Sequence, residues 1–595
     1  MEVSSESRRG YTKYGFLTQE PPLRQLPLPF CQWESLLKEA QVAVRTLKRI
    51  STACESELDY TMSQWRRQVR QMRVIRFEPQ RCLEAVSHRA HHVLTFLVQY
   101  YIQSQSEEAR NRGTVVRIPA SLAVPLVAVS RHLGIAPILT YADTVLWNWK
   151  WIDPKKAVSV QNVGMIDLFT NDSQEEHFFL TSLRMEICGR ASTKAMLEMS
   201  QSRSKRSDGD DDHRQLVENV RTIARNLDEL TDIFCAVREG LTPDFFYNDF
   251  RPWIQGADQG IESPSWLYEG TGLILQPSGP SAGQSAMMHS FDVFLGIEHP
   301  HSSYAPGSGC AYINSALNPH REVREGKTIA SRCPRSGGND KPQVHQSVSH
   351  CFSHGSRSTQ SQVRCPASNH SIPSERSSAQ SNEVDTSFNA RMRTYMPIQH
   401  QEYLLWLKEH TPFRHTREPV LKSQAALEAH GAAVRALQRW RNAHIQVVTQ
   451  YVILPARRKF CLEAQAAAMA ENSTPRRECP AAEIDESTTK QVVRGTGGTS
   501  LIPLLKIYRE NTRNAAVGSA LMHPAKEITR VQRGPFDLLW WLLSFFAVGG
   551  LLLRDVTEFL QKLLGAMVTF DKAGESGLMV MLCSLWSHIL VAIDN

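Results

Sequence analysis

The stretch 215–240, QLVENVRTIARNLDELTDIFCAVREG, decides the fold class. Leu216, Val220, Ile223, Leu227, Leu230, Phe234 and Val237 recur at three and four residues, so one face of a helix is apolar. Gly240 stops the pattern, Thr242 is placed to cap a following helix, and Pro243 fits its first turn. Before it, SQSRSKRSDGDDDHR (200–214) has almost no apolar content and reads as a loop between two helices. The same period runs from Trp33 to about Met72, through Leu36, Leu37, Ala40, Val44, Leu47 and Ile50. A second apolar helix is expected from about Pro79 to Gln103. Another helical pair is expected around VVRIPASLAVPLVAVSRHLG (115–134), punctuated by Pro119 and Pro125. LTYADTVLWNWKW (139–151), with Asp143 and three tryptophans, reads as buried. Helix resumes at RMRTYMPIQHQEYLLWLKEH (391–410), and a long helix is expected from about Ser423 to Leu454, ended by Pro455. Strand signals are weak throughout, and the expectation is an all-α protein.

Three segments depart from this pattern. Residues 15–29 are rich in Pro and Leu and read as an extended arm after a flexible N-terminus, 1–14. Residues 301–387 are rich in Ser, Gly, His and Arg, with Leu317 as their single leucine; so few large apolar side chains do not offset ordering entropy, and disorder is expected. Cys310, Cys333, Cys351 and Cys365 lie there with His345, His350, His354 and His370, but in no zinc-finger order. The tail, 519–595, holds apolar runs at 538–553 and 578–593, each about 16 residues against the roughly 20 that span hydrocarbon. Membrane contact through this tail and a buried or interfacial helix are both open readings of it.

Composition narrows the class. The 595 residues are 42% hydrophobic and 21% charged, with 30 Pro and 32 Gly, which excludes a fibrous or wholly disordered chain. At about 150 residues per domain the length allows three or four domains. The 67 basic and 60 acidic groups leave a net charge of +7, with no dense Lys/Arg run, so no nucleic-acid partner is expected. The N-terminus has no apolar signal-peptide core. Twelve cysteines without framework spacing fit a reduced, intracellular compartment.

Several residues are candidates for chemistry. His444 lies in WRNAHIQVVTQYVILP (440–455), where Leu437, Trp440, His444, Val447, Val448 and Tyr451 fall on or near one face. It reads either as a core histidine with both nitrogens hydrogen-bonded, or as an axial haem ligand on an apolar wall. Tyr247 and Arg251, in TPDFFYNDFRPWI (242–254), share a helix face with Phe246 beside them; a guanidinium next to aromatics suits a carboxylate on a flat apolar body. A surface arginine is the plainer alternative. Phe178 and Ser182 offer a ring and a hydroxyl to one space, with core packing as the default. Ser281, Ala282, Gly283 and Ser285 open a helix with small residues that let a ligand approach the backbone. GTGGT (495–499) lacks the Lys-Ser/Thr of a phosphate loop, leaving Thr496 as a hydrogen-bonding residue in a loop.

Together these stretches resemble the indoleamine 2,3-dioxygenase family. The motifs are GFLTQEPPLRQLP, LTYADTVLWNWK, HFFLTSLRMEI, FYNDFRPW, SAGQSAMMHSFDVFLG, MRTYMP, HIQVVTQYVILPA and GTGGT, in the family's order over about residues 14–515. Neither the insertion nor the tail takes part. SAGQS, the histidine helix and GTGGT are the specific ones.

The resemblance implies an all-α, two-domain helical fold enclosing haem b: a small N-terminal domain, 15–140, and a large haem-binding domain, 141–518. It implies His444 as the proximal iron ligand, and Arg251 as the residue that binds the substrate carboxylate. Phe178 and Ser182 would form the distal-pocket pair. Phe246 and Tyr247 would be the two adjacent aromatics, Tyr247 standing where some members have phenylalanine. Ser281, Ala282 and Gly283 would line haem and substrate, Thr496 would close over the amino acid, and Tyr141, Thr144, Val447 and Val448 would complete the cofactor pocket. No residue matches a catalytic acid or base. The implied reaction inserts both atoms of O2 into the indole C2–C3 bond of L-tryptophan to give N-formyl-L-kynurenine, in a cytoplasmic monomer supplied by an electron donor. A non-catalytic oxygen-binding haem protein on the same fold is the main rival, and a membrane-tethered interaction protein a third reading.

Overall fold

The computed structural model describes residues 10–49, 55–106, 109–110, 115–202, 210–258, 263–299, 388–413, 423–470, 493–496 and 500–515. The expectations for the insertion 301–387, with its Cys/His set, and for the tail 519–595 lie outside these residues. Within them no helix is long and apolar enough to cross a membrane.

Two amphipathic helices begin the chain, α1 (Cys31–Arg49) and α2 (Glu55–Gln71). They bury Trp33, Leu36, Leu37, Ala40 and Val44 against Met62, Trp65 and Val69. Behind them, α3 (Glu84–Gln103) is buried on nearly every face. A helix so enclosed must pair its polar side chains internally. Arg89 does so with Glu34 at 2.7–2.8 Å and Asp167 at 2.5 Å. His91 bonds Asp143 at 2.7 Å and Ser130 at 3.1 Å, while His92 bonds Asp167 at 3.1 Å.

The VVRI stretch is a strand, not a helix. Its Val/Ile content suits a pleated surface, and β1 (Val115–Ile118) pairs in parallel with β4 (Ser265–Tyr268), Val116 opposite Trp266. A second small pair forms from β2 (Trp149–Trp151) and β3 (Val163–Met165), and β5 (Leu273–Leu275) lies antiparallel to β4. Pro119 caps α4 (Ala120–Leu133), but Pro125 sits inside that helix and does not interrupt it. These short strands leave the fold all-α in class.

The rest is helical: α5 (Ser173–Ser202), α6 (Asp210–Cys235), α7 (Ala286–Leu295), α8 (Phe388–Arg393), α9 (Ile398–His410), α10 (Gln424–Val448), α11 (Leu454–Ala470) and α12 (Leu501–Asn514). The expected loop 200–214 shrinks, because α5 runs to Ser202 and α6 starts at Asp210. After α6 comes a single turn, Val237–Gly240, and Thr242 then accepts a bond from the Phe245 amide at 3.4 Å, as a cap should. Pro455 does not end the long helix. A wide turn, Thr449–Ile453, precedes it, with the Leu454 amide bonded to the Thr449 carbonyl, and α11 continues through the proline. Widening the turn accommodates a residue that has no amide to give and a ring that crowds the preceding turn.

Two hydrophobic clusters result. One centres on α1–α4 and reaches Phe179, Phe246, Phe250 and Tyr451. The other is built from α5, α6, α7, α9 and α10 around Leu227, Leu230, Phe291, Leu407 and Leu437. Tyr11 belongs to it, stacked on Tyr403 at 5.9 Å, so the described part of the expected flexible N-terminus is packed down.

Candidate functional site

A cavity of about 290 Å³ draws its walls from both clusters. Three wide helical turns face it: Ala142–Leu146, Phe245–Phe250 and Thr449–Ile453. They supply Thr144 and Val145, Phe246, and Tyr451 and Val452 to the lining. An i→i+5 turn rotates the side chains after it relative to a regular helix, and such turns recur at functional sites. None announces itself in hydrophobic periodicity.

Among the described residues two histidines line the cavity, and their hydrogen bonds separate them. His289, on α7, is bonded at both ring nitrogens, by Nε2 to the Gly283 carbonyl at 2.8 Å and by Nδ1 to Arg393 at 3.3 Å. His444, on α10, meets no hydrogen-bond partner among the described residues. Its ring is packed between aromatics, stacked on Trp440 at 5.2 Å and edge-on to Phe234 at 5.6 Å. Burial, with the nearby Arg441 charge, lowers its pKa to about 4, so the ring is neutral and a nitrogen lone pair is available at pH 7. The first reading of His444, a core histidine with both nitrogens satisfied, is therefore not what the structure contains.

Arg251 follows the second wide turn and is 8% exposed. It donates to the Arg494 carbonyl at 2.7 Å and lies over the Tyr247 ring at 5.5 Å. No carboxylate pairs with it among the described residues, and burial pulls its pKa down from the ordinary arginine value. A buried guanidinium without a counter-ion is costly. Its position in the lining makes an anion entering the cavity the natural partner.

The remaining wall is aromatic and small. Phe178 meets Phe246 at 5.2 Å and Phe250 at 5.4 Å, with Ser182 one helical turn on. Ser281 accepts the Gly283 amide at 3.1 Å. The Gly279 amide donates to the Thr496 carbonyl at 3.0 Å, which ties Thr496 to this segment. Tyr141 donates its hydroxyl to the buried Glu186 at 2.9 Å, and Ser285 donates to the same oxygen at 2.7 Å.

The structure thus brings to one cavity Tyr141, Thr144, Phe178, Ser182, Phe246, Arg251, Ser281, Ala282, Gly283, His444, Val447, Val448 and Thr496. Tyr247 does not line it; its ring lies beneath Arg251, because the wide turn points Phe246 inward in its place. The sequence reading missed His289, Asp292 and Arg441. Arg441, three residues before His444 on the same helix, was open to detection by spacing. Its guanidinium pairs with Asp292, which also bonds His299 at 3.0 Å. Burial pushes the Asp292 carboxyl up, but Arg441 and His299 outweigh it and hold it below the usual carboxylate range.

These residues fit a haem. Among the described residues no group of three or more His, Cys, Asp or Glu side chains would hold a bare ion. A single unpartnered neutral imidazole on a largely apolar wall suits an iron whose other equatorial ligands come from a porphyrin.

Comparison with known proteins agrees with this geometry. The family model described as indoleamine 2,3-dioxygenase matches residues 10–515. The chain is 25% identical over 430 residues to indoleamine 2,3-dioxygenase 1 of Rattus norvegicus, covering 72% of this chain and 79% of the rat protein. It is 23% identical over 520 residues to indoleamine 2,3-dioxygenase of Saccharomyces cerevisiae, covering 84% and 90%. A 6-hydroxytryptophan 2,3-dioxygenase of Fusarium equiseti is 22% identical over 509 residues, covering 84% and 94%.

Proposed function

Because this chain belongs to the indoleamine 2,3-dioxygenase family and is an oxidoreductase of the dioxygenase type, we propose a specific reaction for it. It inserts both atoms of dioxygen into the indole C2–C3 bond of L-tryptophan and yields N-formyl-L-kynurenine, the opening step of tryptophan breakdown by the kynurenine route. The observation that carries this reading is Arg251: a buried guanidinium with no described counter-ion, beside an apolar cavity that holds an unpartnered imidazole.

His444 would hold the iron of haem b through its free nitrogen. Bound haem supplies the activation of dioxygen that no side chain can provide. The protein's part is orientation and exclusion of water. Arg251 takes the substrate carboxylate in a charge-assisted bond. The Phe178 and Phe246 rings flank a flat indole, and Ser182 gives the same wall one small polar group. Ser281, Ala282 and Gly283 let cofactor and substrate come close to backbone, while Thr496 covers the amino-acid end. Fixing both reactants in this way recovers entropy otherwise lost in bringing them together. The reading includes a cytoplasmic monomer and a separate electron donor.

The test is turnover by the full chain, expressed with haem precursor, reduced, and given L-tryptophan in air. N-formyl-kynurenine absorbance should rise, and His444→Ala should lack the haem spectrum. A sound haem spectrum without product would overturn the enzyme reading in favour of an oxygen-binding protein.

A further inference from the structure

His289 lies within the SAGQSAMMHSFDVFLG stretch, where the family resemblance assigns it no role, yet it is 4% exposed and faces the cavity. Its surroundings determine its proton. Arginine only donates, so the bond from Arg393 Nε at 3.3 Å makes His289 Nδ1 an acceptor. A carbonyl only accepts, so Nε2 carries the hydrogen and donates it to Gly283 at 2.8 Å. Burial and the Arg393 charge keep the ring neutral, with its pKa near 3. Two bonds therefore fix one tautomer, and neither nitrogen is left for a metal.

The carbonyl it holds is the other half of the argument. Gly283 has its amide bonded to Ser281 and its carbonyl bonded to His289, so the peptide planes on both sides of its Cα are fixed. A side chain on Gly283 would sit 2.9 Å from the Phe388 ring, so this turn also packs tightly against α8. α8 carries both Phe388 and Arg393. The Ser281–Gly283 turn is one wall of the cavity, and small residues there bring backbone to its surface. The Gln284 amide, in the same peptide plane as the Gly283 carbonyl, bonds the Ser281 carbonyl at 2.9 Å. With no Cβ at Gly283, the His289 bond is the side-chain restraint added to that backbone one.

We infer that His289 and Arg393 are positioning residues: Arg393 sets the imidazole tautomer, and the imidazole holds the Gly283 carbonyl, so the Ser281–Gly283 wall keeps the shape that receives substrate. The part of this that concerns substrate rests on the tryptophan reading above. The part that concerns tautomer and backbone does not.

Three measurements on the full-length protein test it. Ring-nitrogen NMR of histidine-labelled protein, with the His289 signals assigned by their loss in His289→Gln, should show the proton on Nε2. Hydrogen exchange of the 281–284 amides should quicken about tenfold in His289→Leu, the cost of one lost hydrogen bond. It should return to the wild-type rate in His289→Gln, whose amide can donate to Gly283 and accept from Arg393. KM for L-tryptophan should follow the same order, raised about tenfold in the leucine variant and restored by glutamine. A proton on Nδ1, a leucine variant with wild-type exchange, or a glutamine variant as impaired as leucine would each overturn the inference. Should His289→Leu not fold, the wild-type tautomer and the glutamine variant's exchange still decide it. If the wild type makes no N-formyl-kynurenine, the functional reading fails while tautomer and exchange still judge this one.

Discussion

Gly256 and Gly279 pack backbone against backbone. A Cβ on Gly256 would lie 2.4 Å from the Gly279 nitrogen and 2.3 Å from the Pro277 oxygen, and one on Gly279 would lie 2.3 Å from the Ile254 oxygen. This contact joins the segment that follows Arg251 to the segment that leads into Ser281. The Ala257 amide bonds the Pro277 carbonyl at 2.8 Å beside it, and the Gly279 amide bonds Thr496. Three stretches of the cavity wall, far apart in the chain, therefore meet at two residues without side chains.

Gly279→Ala should cost about 1–3 kcal/mol, the usual scale for forcing atoms into a filled space. The obstructing atoms are backbone and cannot swing away. Gly164→Ala is the control, since its nearest neighbour is the far end of the Lys150 side chain at 3.4 Å. Urea denaturation should separate the two variants. Equal midpoints would mean that the backbone contact carries no stability.

Arg251→Gln should lower kcat/KM for L-tryptophan by roughly tenfold to a hundredfold, the worth of a hydrogen bond to a charged group. The haem absorption spectrum should stay unchanged. Tryptamine has no carboxylate and should lose little between wild type and variant. Normal turnover of tryptophan by Arg251→Gln would end the carboxylate assignment.

Glu186 predicts a pH effect. It is 2% exposed, one carboxyl oxygen accepts from Tyr141 and Ser285, and the other has no described partner. Burial raises its pKa from 4.5 to about 7, against the smaller opposing effect of those two hydroxyls. The folded protein therefore binds this proton more tightly than the unfolded chain. That stability is fully present below pH 4.5 and is lost as pH rises through 7, to a total of about 3 kcal/mol. Glu186→Gln keeps a neutral group in place and should escape the loss. Its Tm relative to wild type should climb between pH 5 and pH 8, and a flat difference would contradict the buried-acid account.

Arg89 is 2% exposed and bridges Glu34 and Asp167. Burial pushes the Asp167 carboxyl up, but the Arg89 charge and the His92 bond outweigh it and hold it well below the usual range. Arg89→Met would leave two buried carboxylates without their cation, at a cost of about 3–5 kcal/mol. Chemical denaturation of the variant measures it. A loss under about 1 kcal/mol would show that the pair is not sustaining the α1–α3 contact.

The sequence by itself determined the helical class. Three- and four-residue spacing of Leu216 to Val237 and of Leu36 to Leu47 is a local property, read wherever one helix face is buried. It also supplied His444, Arg251 and the aromatic and small-residue parts of the cavity wall. Each of those motifs has a plainer alternative when taken singly, but together they resemble one family. Lining residues such as Leu504 and Tyr508 carry no such signal. Only the tertiary structure decided their relations. β1 is a strand because its partner β4 lies some 150 residues away, and Pro455 stays inside a helix because the turn before it widens. Phe246 faces the cavity and Tyr247 does not, for the same kind of reason. His289 and His444 both stand on helices beside the same space, and no spacing rule separates them. What separates them is whether each nitrogen meets a partner: Gly283 and Arg393 satisfy one ring, and no described residue satisfies the other. Periodicity runs along the chain, whereas hydrogen-bond saturation depends on which groups the fold brings within hydrogen-bonding distance.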